Sequence, residues 1–240
     1  MRNKFLILVL SISYFSSQGE NNRTTFGLQY KPIIPAKYFN SFHTYSSSGN
    51  YMFKLSNLYS NSFGMIIKHK LNKTFLFETG LNYTQRNYKL KLSNINIGFE
   101  DFTPFEMRSY ELPIQILTYV QISKFWHLNA AFGISHNVLA SDIISSGNNS
   151  SSFVQNTYRK NGGYRALIAN LGMEYRSEGD GNYYIGASLH LPFTEIGRIY
   201  PLYKDGIESN NFNTENFEDK FFIELPGDFI TIDFRYYFPK

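Results

Sequence analysis

The sequence predicts an all-β chain: an eight-stranded antiparallel up-and-down transmembrane β-barrel with short periplasmic turns and long extracellular loops. Three observations predict it. Strand-length segments alternate apolar and polar side chains with a period of two, which gives a sheet one chemistry on each face. The connections between those segments alternate between short and long, as they do in outer-membrane barrels. After the first 20 residues no run stays apolar for the roughly 18 to 20 residues that a membrane-spanning helix needs.

The N-terminus reads as an export leader. Arg2 and Lys4 are positive, Phe5 to Ile12 is apolar, and Ser16, Ser17 and Gly19 are small residues near a cleavage point. The apolar run is too short to span a bilayer, so residues 1–19 are assigned to a signal peptide and 20–240 to the barrel domain.

Eight strands follow. Thr25 to Lys31 presents Phe26, Leu28 and Tyr30 on one face, and Phe63 to Lys70 presents Phe63, Met65 and Ile67. In Phe75 to Arg86 the apolar set is Phe75, Phe77, Leu81 and Tyr83, opposed by Glu78, Gly80, Asn82, Thr84 and Arg86. Tyr110 to Gln121 sets Tyr110, Leu112, Ile114, Ile116 and Val120 against Glu111, Pro113, Gln115 and Gln121. Trp126, Leu128, Phe132 and Ile134 then oppose His127, Asn129, Gly133 and Ser135. Leu167, Leu171, Met173 and Tyr175 oppose Asn170, Gly172, Glu174 and Arg176. Tyr183, Ile185, Leu189 and Leu191 oppose Tyr184, Gly186, Ser188 and His190. The last strand sets Ile230, Ile232, Phe234, Tyr236 and Phe238 against Thr231, Asp233 and Arg235. Pro113 and Pro192 lack a ladder donor, and both are read as bulges.

Leu71 to Thr74, Ile122 to Phe125 and Glu178 to Asn182 are hairpin turns. Pro32 to Ser62, Leu92 to Glu106, Ile143 to Tyr164 and Tyr200 to Gly227 are long polar loops on the other side. An even strand number puts both chain ends beside the short turns.

Composition agrees. The chain carries 23 Phe and 19 Tyr, yet its mean hydropathy is -0.31, which suits strands with one greasy face. It has no cysteine, so disulfide frameworks and thiolate metal sites are excluded. The net charge of +4 is scattered rather than blocked, which gives no nucleic-acid footprint. A soluble lipocalin-like barrel would turn its apolar face inward. Here Lys68, Glu78, Arg86, Glu111, Glu174, Arg176, Asp233 and Arg235 share the polar parity, with both signs present, so a narrow lumen filled by paired charge is expected, without a wide pore.

The export segment, the eight-strand pattern, the segment RSYELPIQILTYV at Arg108 to Val120 and the aromatic terminal strand DFITIDFRYYFPK together resemble the PorT-type outer-membrane β-barrel proteins of Bacteroidota. The resemblance covers essentially the whole mature chain; Glu111 to Ile114 is its most motif-like piece. It implies an outer-membrane location, an eight-stranded barrel and a link to protein secretion, and it transfers no catalytic residues.

Three function classes stay open: a structural or protein-interaction barrel, a lipid A-modifying enzyme, and a narrow transport or adhesion protein. Hydrolysis would need a nucleophile, a base and an orienting acid in hydrogen-bond reach. Ser188 and His190, two apart on one strand face with Glu174 nearby, are the pair to examine, although their parity is lumenal. His43, His69, His127 and His136 lack metal-ligand spacing. The expectation is a non-enzymatic barrel with no cofactor, no metal and no catalytic residue. Its partners are expected to be outer-membrane lipid and proteins met through the loops or the secretion machinery. In the first loop Tyr38, Phe39, Phe42, Tyr45, Tyr51, Phe53 and Tyr59 could cap the barrel or bind a partner. Ser145 to Ser152 reads as flexible, and Glu208, Glu215, Glu218, Asp219 and Lys220 give the fourth loop mixed charge.

Overall fold

A computed structural model describes residues 24–35, 43–48, 50–72, 74–94, 96, 98–148, 153–203 and 221–239. The expected leader at 1–19 lies outside them. The strands are β1 (Thr24–Ile34), β2 (His43–Ser48), β3 (Tyr51–Asn57), β4 (Ser60–Lys70), β5 (Phe75–Asn94), β6 (Phe99–Gln121), β7 (Trp126–Leu139), β8 (Ile143–Ser146), β9 (Phe153–Arg159), β10 (Gly163–Arg176), β11 (Asn182–Pro192), β12 (Gly197–Tyr203), β13 (Ile223–Leu225) and β14 (Phe229–Tyr237). Eight of them close a ring in the order β5-β4-β1-β14-β11-β10-β7-β6 and back to β5, every pair antiparallel. Closure leaves no unpaired edge, the condition for a sheet in hydrocarbon.

The short turns hold at one end. Asn72 Oδ1 accepts from the backbone N–H groups of Thr74 and Phe75, each at 2.8 Å, and fixes the β4–β5 hairpin. Ser123 Oγ accepts from Trp126 N–H at 3.2 Å in the β6–β7 hairpin. β1 begins and β14 ends at this same end, with Gly27 opposite Tyr237.

At the other end the strands are not loops. β5 and β6 run for 20 and 23 residues, roughly twice the 9 to 11 that a tilted strand needs to cross a bilayer. The stretches expected to be loops at Leu92 to Glu106, Ile143 to Tyr164 and Tyr200 to Gly227 hold the ends of β5 and β6 and all of β8, β9 and β13, while β12 begins just before the last of them. The first loop, Pro32 to Ser62, holds β2 and β3. β2 and β3 extend the wall beside β5, and a second sheet, β13-β12-β9-β8, faces that wall.

β3 and β4 lie on the same edge of β5. Asn57 stands opposite Tyr88 and Asn61 opposite Gln85, so the step along β3–β4 is one residue longer than its match on β5. This is a bulge, held by Leu58 N–H to Asn87 O at 2.8 Å, Asn87 N–H to Ser60 Oγ at 2.8 Å and Asn87 Nδ2 to Tyr59 O at 2.7 Å. One extra residue swaps the faces: Tyr51, Phe53 and Leu55 are buried above it, and Ser60, Ser62, Ile66 and Lys68 below.

The prolines behave differently from the sequence reading. The β5–β6 register is the same on both sides of Pro113, from Thr79 opposite Ile114 to Asn82 opposite Glu111, so the ladder skips two pairs without a bulge. The cause is the missing N–H of Pro113; its carbonyl instead accepts from Thr79 Oγ1 at 2.8 Å. Pro192 is the last residue of β11, opposite Ala166, in an unbroken register.

Gly172 and Gly186 face each other across β10 and β11, and the Tyr184 phenol lies over both, 2.3 and 2.1 Å from where a Cβ would stand. The paired glycines make the slot that lets Tyr184 Oη reach Asn170 Oδ1 at 2.6 Å.

Candidate functional site

Two places in the fold could act on something: the lumen of the ring and the double-sheet head above it. The lumen is built from the polar parity of each strand. Near the short turns, Lys68 Nζ donates to Glu174 at 2.7 Å and to Tyr119 Oη at 2.8 Å, and it lies 3.2 Å from the centre of the Tyr237 ring. Glu174 also accepts from Tyr119 Oη at 2.6 Å and Arg176 Nε at 3.0 Å. Midway up, Arg235 donates to both Glu78 oxygens at 3.0 and 3.1 Å and to Asp233 at 2.9 Å. Asp233 accepts further from Ser188 and Thr231, each at 2.5 Å, and from Asn170 at 3.0 Å, with Lys31 Nζ at 3.6 Å. Above that, Glu111 accepts from Asn82 at 2.9 Å and faces His190 Nε2 at 3.5 Å.

Burying such charges costs several kcal/mol each unless they are paired and hydrogen-bonded. Lys31, Lys68, Glu78, Glu174, Asp233 and Arg235 meet that condition through partners of opposite sign. The cavity left between Gln29, Glu78, Glu111 and His190 is about 10 Å³, room for about one water molecule.

Ser188 and His190, the pair singled out in the sequence, do not bond each other. Ser188 Oγ goes to Asp233. His190 stacks on Phe229 with ring centres 4.3 Å apart, and its Nε2 meets both Ser135 Oγ at 3.4 Å and Glu111. Hydroxyl and carboxylate therefore crowd one ring nitrogen, while Nδ1, where an orienting acid would sit, has no carboxylate among the described residues, and the Gly227 backbone is a further neighbour of the ring. Glu174 belongs to Lys68. Of the other histidines, His69 bonds Thr24 Oγ1 at 2.9 Å, His127 meets the edge of Tyr119, and His136 is exposed on the outer wall; the His43 side chain lies outside the described residues. No group of three His, Asp or Glu that could hold a metal occurs among the described residues.

The head lies where the sequence predicts loops. Its two sheets enclose a core of Tyr51, Phe53, Leu55, Tyr88, Leu90, Leu92, Phe105, Met107, Phe153, Ile199, Ile223 and Leu225. Fully buried side chains of this size are each worth about 2 kcal/mol over exposure. Tyr88 stacks on Phe105 at 5.3 Å and donates to Pro226 O at 3.3 Å; burial pushes its phenol pKa up. Thr103 and Ser145 hydroxyls bond across the two sheets. Tyr51 and Phe53 thus cap the barrel, whereas Tyr59 is exposed; Tyr38, Phe39, Phe42, the Tyr45 side chain, residues 149–152 and the charged stretch 204–220 lie outside the described residues. The signal was present: alternation continues past Arg86 through Tyr88, Leu90 and Leu92.

On the outward face of the second sheet, Tyr158 and Tyr200 meet edge to face at 5.7 Å, Tyr200 approaches Phe222 at 6.0 Å, and the Arg198 guanidinium lies 4.5 Å from the Phe222 ring centre. Ile144, on the same sheet, is 74% exposed. Aromatic rings with arginine are the side chains that dominate protein contacts. Where barrel passes into head, Lys160 Nζ donates to Glu195 at 2.5 Å, holding that carboxyl below its ordinary pKa.

No protein-family model matches the chain, and no curated protein matches it. Among solved structures it is similar to the outer membrane protein OprG from Pseudomonas aeruginosa, with a TM-score of 0.52 and 8% identity over 90% of this chain and 96% of that one. At that identity the likeness is one of fold, and it agrees with the ring: the chain is an eight-stranded antiparallel β-barrel.

Proposed function

We propose that the chain is a small, non-enzymatic outer-membrane barrel that holds a folded β-sheet head at the cell surface, where the head engages another envelope protein. The observation that carries this is the inversion of the two faces along the wall. Below the β3–β4 bulge the outer face is apolar (Phe26, Leu28, Phe63, Met65, Leu81, Leu112, Ile114) and the inner face is ionic; above it the inner face is mostly apolar, with Asp101, Thr103, Gln155 and Thr157 as its buried polar members, and the outer face of β3 and β5 is mostly polar. The lower part suits hydrocarbon outside, and the upper part suits water. A lumen filled by ion pairs under an apolar plug argues for a mount rather than a channel. The Tyr158–Arg198–Tyr200–Phe222 patch gives the mount a contact surface. The resemblance to PorT-type barrels adds protein export as the setting to test first.

Two measurements test the reading. Reconstituted in planar bilayers, the protein is expected to show no steady conductance; regular single-channel steps would replace the mount with a pore. In cells, a photo-crosslinking residue at Tyr158 or Tyr200 is expected to give a protein adduct of one defined mass that the same residue at Leu112 does not give. Equal labelling from both positions would remove the head as the contact surface.

A further inference from the structure

We infer that Arg86 is an oxyanion site at the joint between barrel and head, shaped for the carboxylate or phosphate group of an anionic ligand. The inference stands apart from the partner reading. Each other lumenal cation has a carboxylate within 4.0 Å: Lys31 has Asp233, Lys68 and Arg176 share Glu174, and Arg235 has Glu78 and Asp233. Arg86 is 3% exposed, and it forms no ion pair among the described residues. Its Nη1 donates to Gly227 O at 3.1 Å, while Nε and Nη2 are buried without a hydrogen-bond partner. Those two nitrogens form one edge of the guanidinium, the edge that grips an oxyanion through two parallel N–H···O bonds. The Tyr164 and Phe229 rings, centred 5.6 and 5.7 Å from the guanidinium carbon, offer their faces, which compensate a buried charge less than an anion does. Tyr164 Oη is buried close to the guanidinium without a well-formed hydrogen bond to it.

A cavity of about 30 Å³ lies beside Arg86, between the end of β1, the β3–β4 bulge and the start of β14. That holds the oxygens of one head group, or about two waters. Ser60 and Asp228 line its polar part, and Ile34, Leu189 and Ile230, which carry the outward parity of their strands, line the rest. The Asp228 carboxylate disfavours a dianion. A single-charge head with an apolar tail satisfies both ends: carboxylate on the Arg86 edge, tail along Ile34, Leu189 and Ile230.

The test uses the full-length folded protein in phosphatidylcholine nanodiscs and isothermal titration with decanoate, decanol and inorganic phosphate. Saturable binding of decanoate, with decanol only partitioning into lipid as it does with the Arg86→Gln protein, supports the site and assigns its ligand to membrane amphiphiles. Saturable phosphate binding that Arg86→Gln abolishes also supports it and assigns the ligand to free anions. Arg86→Gln is expected to weaken binding by about tenfold or more, and Arg86→Lys to weaken it too, since a lysine keeps the charge and loses the paired edge. Arg165→Gln, on the outer wall, is expected to leave it unchanged. Removing an unpaired buried charge should leave ligand-free Arg86→Gln melting at or above the wild-type temperature. Anion binding that is absent in the wild type, or equal in Arg86→Gln or Arg86→Lys, overturns the inference. So does a wild type whose melting no anion shifts beside a destabilised Arg86→Gln; Arg86 would then be a prop for the Gly227 carbonyl.

Discussion

β5 passes through both regions of the molecule, and its two halves are mirror images in chemistry. From Phe75 to Arg86 the even-numbered residues Glu78, Asn82, Thr84 and Arg86 point inward and are polar, while Phe75, Leu81 and Tyr83 point outward and are apolar. From Asn87 to Asn94 the even-numbered Tyr88, Leu90 and Leu92 still point inward, yet they join an apolar core that ends at Asn94, and the outward set is Asn87, Lys89, Lys91 and Ser93. The backbone does not change face; the solvent does. β6 repeats the switch in part, with Phe105 and Met107 inside the head beside buried Asp101 and Thr103, and Ser109, Glu111 and Gln115 inside the ring. Period-two alternation therefore locates a strand, and the sign of the alternation locates the boundary between hydrocarbon and water.

The largest break in this comparison should come from giving the upper core a lumenal residue. Leu90→Glu places a carboxylate in the head without a partner and is expected to cost about 5 kcal/mol. If the regions are separable, the head becomes protease-sensitive while the ring keeps the heat-dependent gel mobility of a closed barrel. Loss of both at once would mean that they fold as one unit.

A somewhat smaller effect is expected from the converse change in the lumen. Glu78→Gln strips Arg235 of its two-oxygen partner and should cost about 4 kcal/mol, because a buried charge is left half compensated. Removing both groups, Glu78→Leu with Arg235→Leu, should cost less than the sum of the two single changes in urea unfolding. Additive losses would show that the pair is not coupled. Third in size is the outer wall: Ile114→Arg in the apolar belt should cost about 3 kcal/mol, whereas Met52→Arg, outward on the head beside Ser93, should stay within about 0.5 kcal/mol. Equal penalties would move the boundary away from the bulge.

The ring was legible because each of its strands repeats one pattern: Phe75 to Arg86 and Ile230 to Phe238 read alike. Lumenal placement of Lys68, Glu78, Glu174, Asp233 and Arg235 followed from parity alone, and all are buried there. Which charges pair did not follow, since Arg235 meets Glu78 across 157 residues of sequence and only ring closure joins them. The head was hidden for a different reason. The strands it does not share with the ring run for only 3 to 7 residues, the outward residues of its β5 half are polar, and Tyr51 and Phe53 lie on the parity opposite to Ser60 and Ser62 because of one bulged residue that composition does not mark. Pro113 is not legible from its missing donor, because a lost donor need not shift the register: the strand omits two ladder pairs and keeps its phase.

The smallest expected effect sharpens the comparison at the joint itself. Lys160, in the turn from β9 to β10, bonds Glu195, in the bend from β11 to β12; Arg198 lies 3.4 Å from the same oxygen, and Lys160 N–H also bonds Ile196 O at 3.0 Å. The Lys160 hydrogen bond, the largest cause, holds the Glu195 carboxyl below its ordinary value of 4.5. A carboxyl with a depressed folded-state pKa contributes stability that is present above its unfolded value and fades as pH falls through the folded one. Glu195→Gln should therefore be less stable than the wild type at neutral pH by about 0.5 kcal/mol, the scale of a partly exposed pair. That gap should close as acidification carries the solution below the ordinary carboxylate range, and it should shrink in about 1 M salt. Protease cleavage at residues 160–162 reads it directly, for Asn161 and Gly162 hold positive φ angles of 57° and 66° there, and opening the bend exposes the turn. A gap that persists at low pH would mean that Glu195 holds the head to the barrel by shape and not by charge.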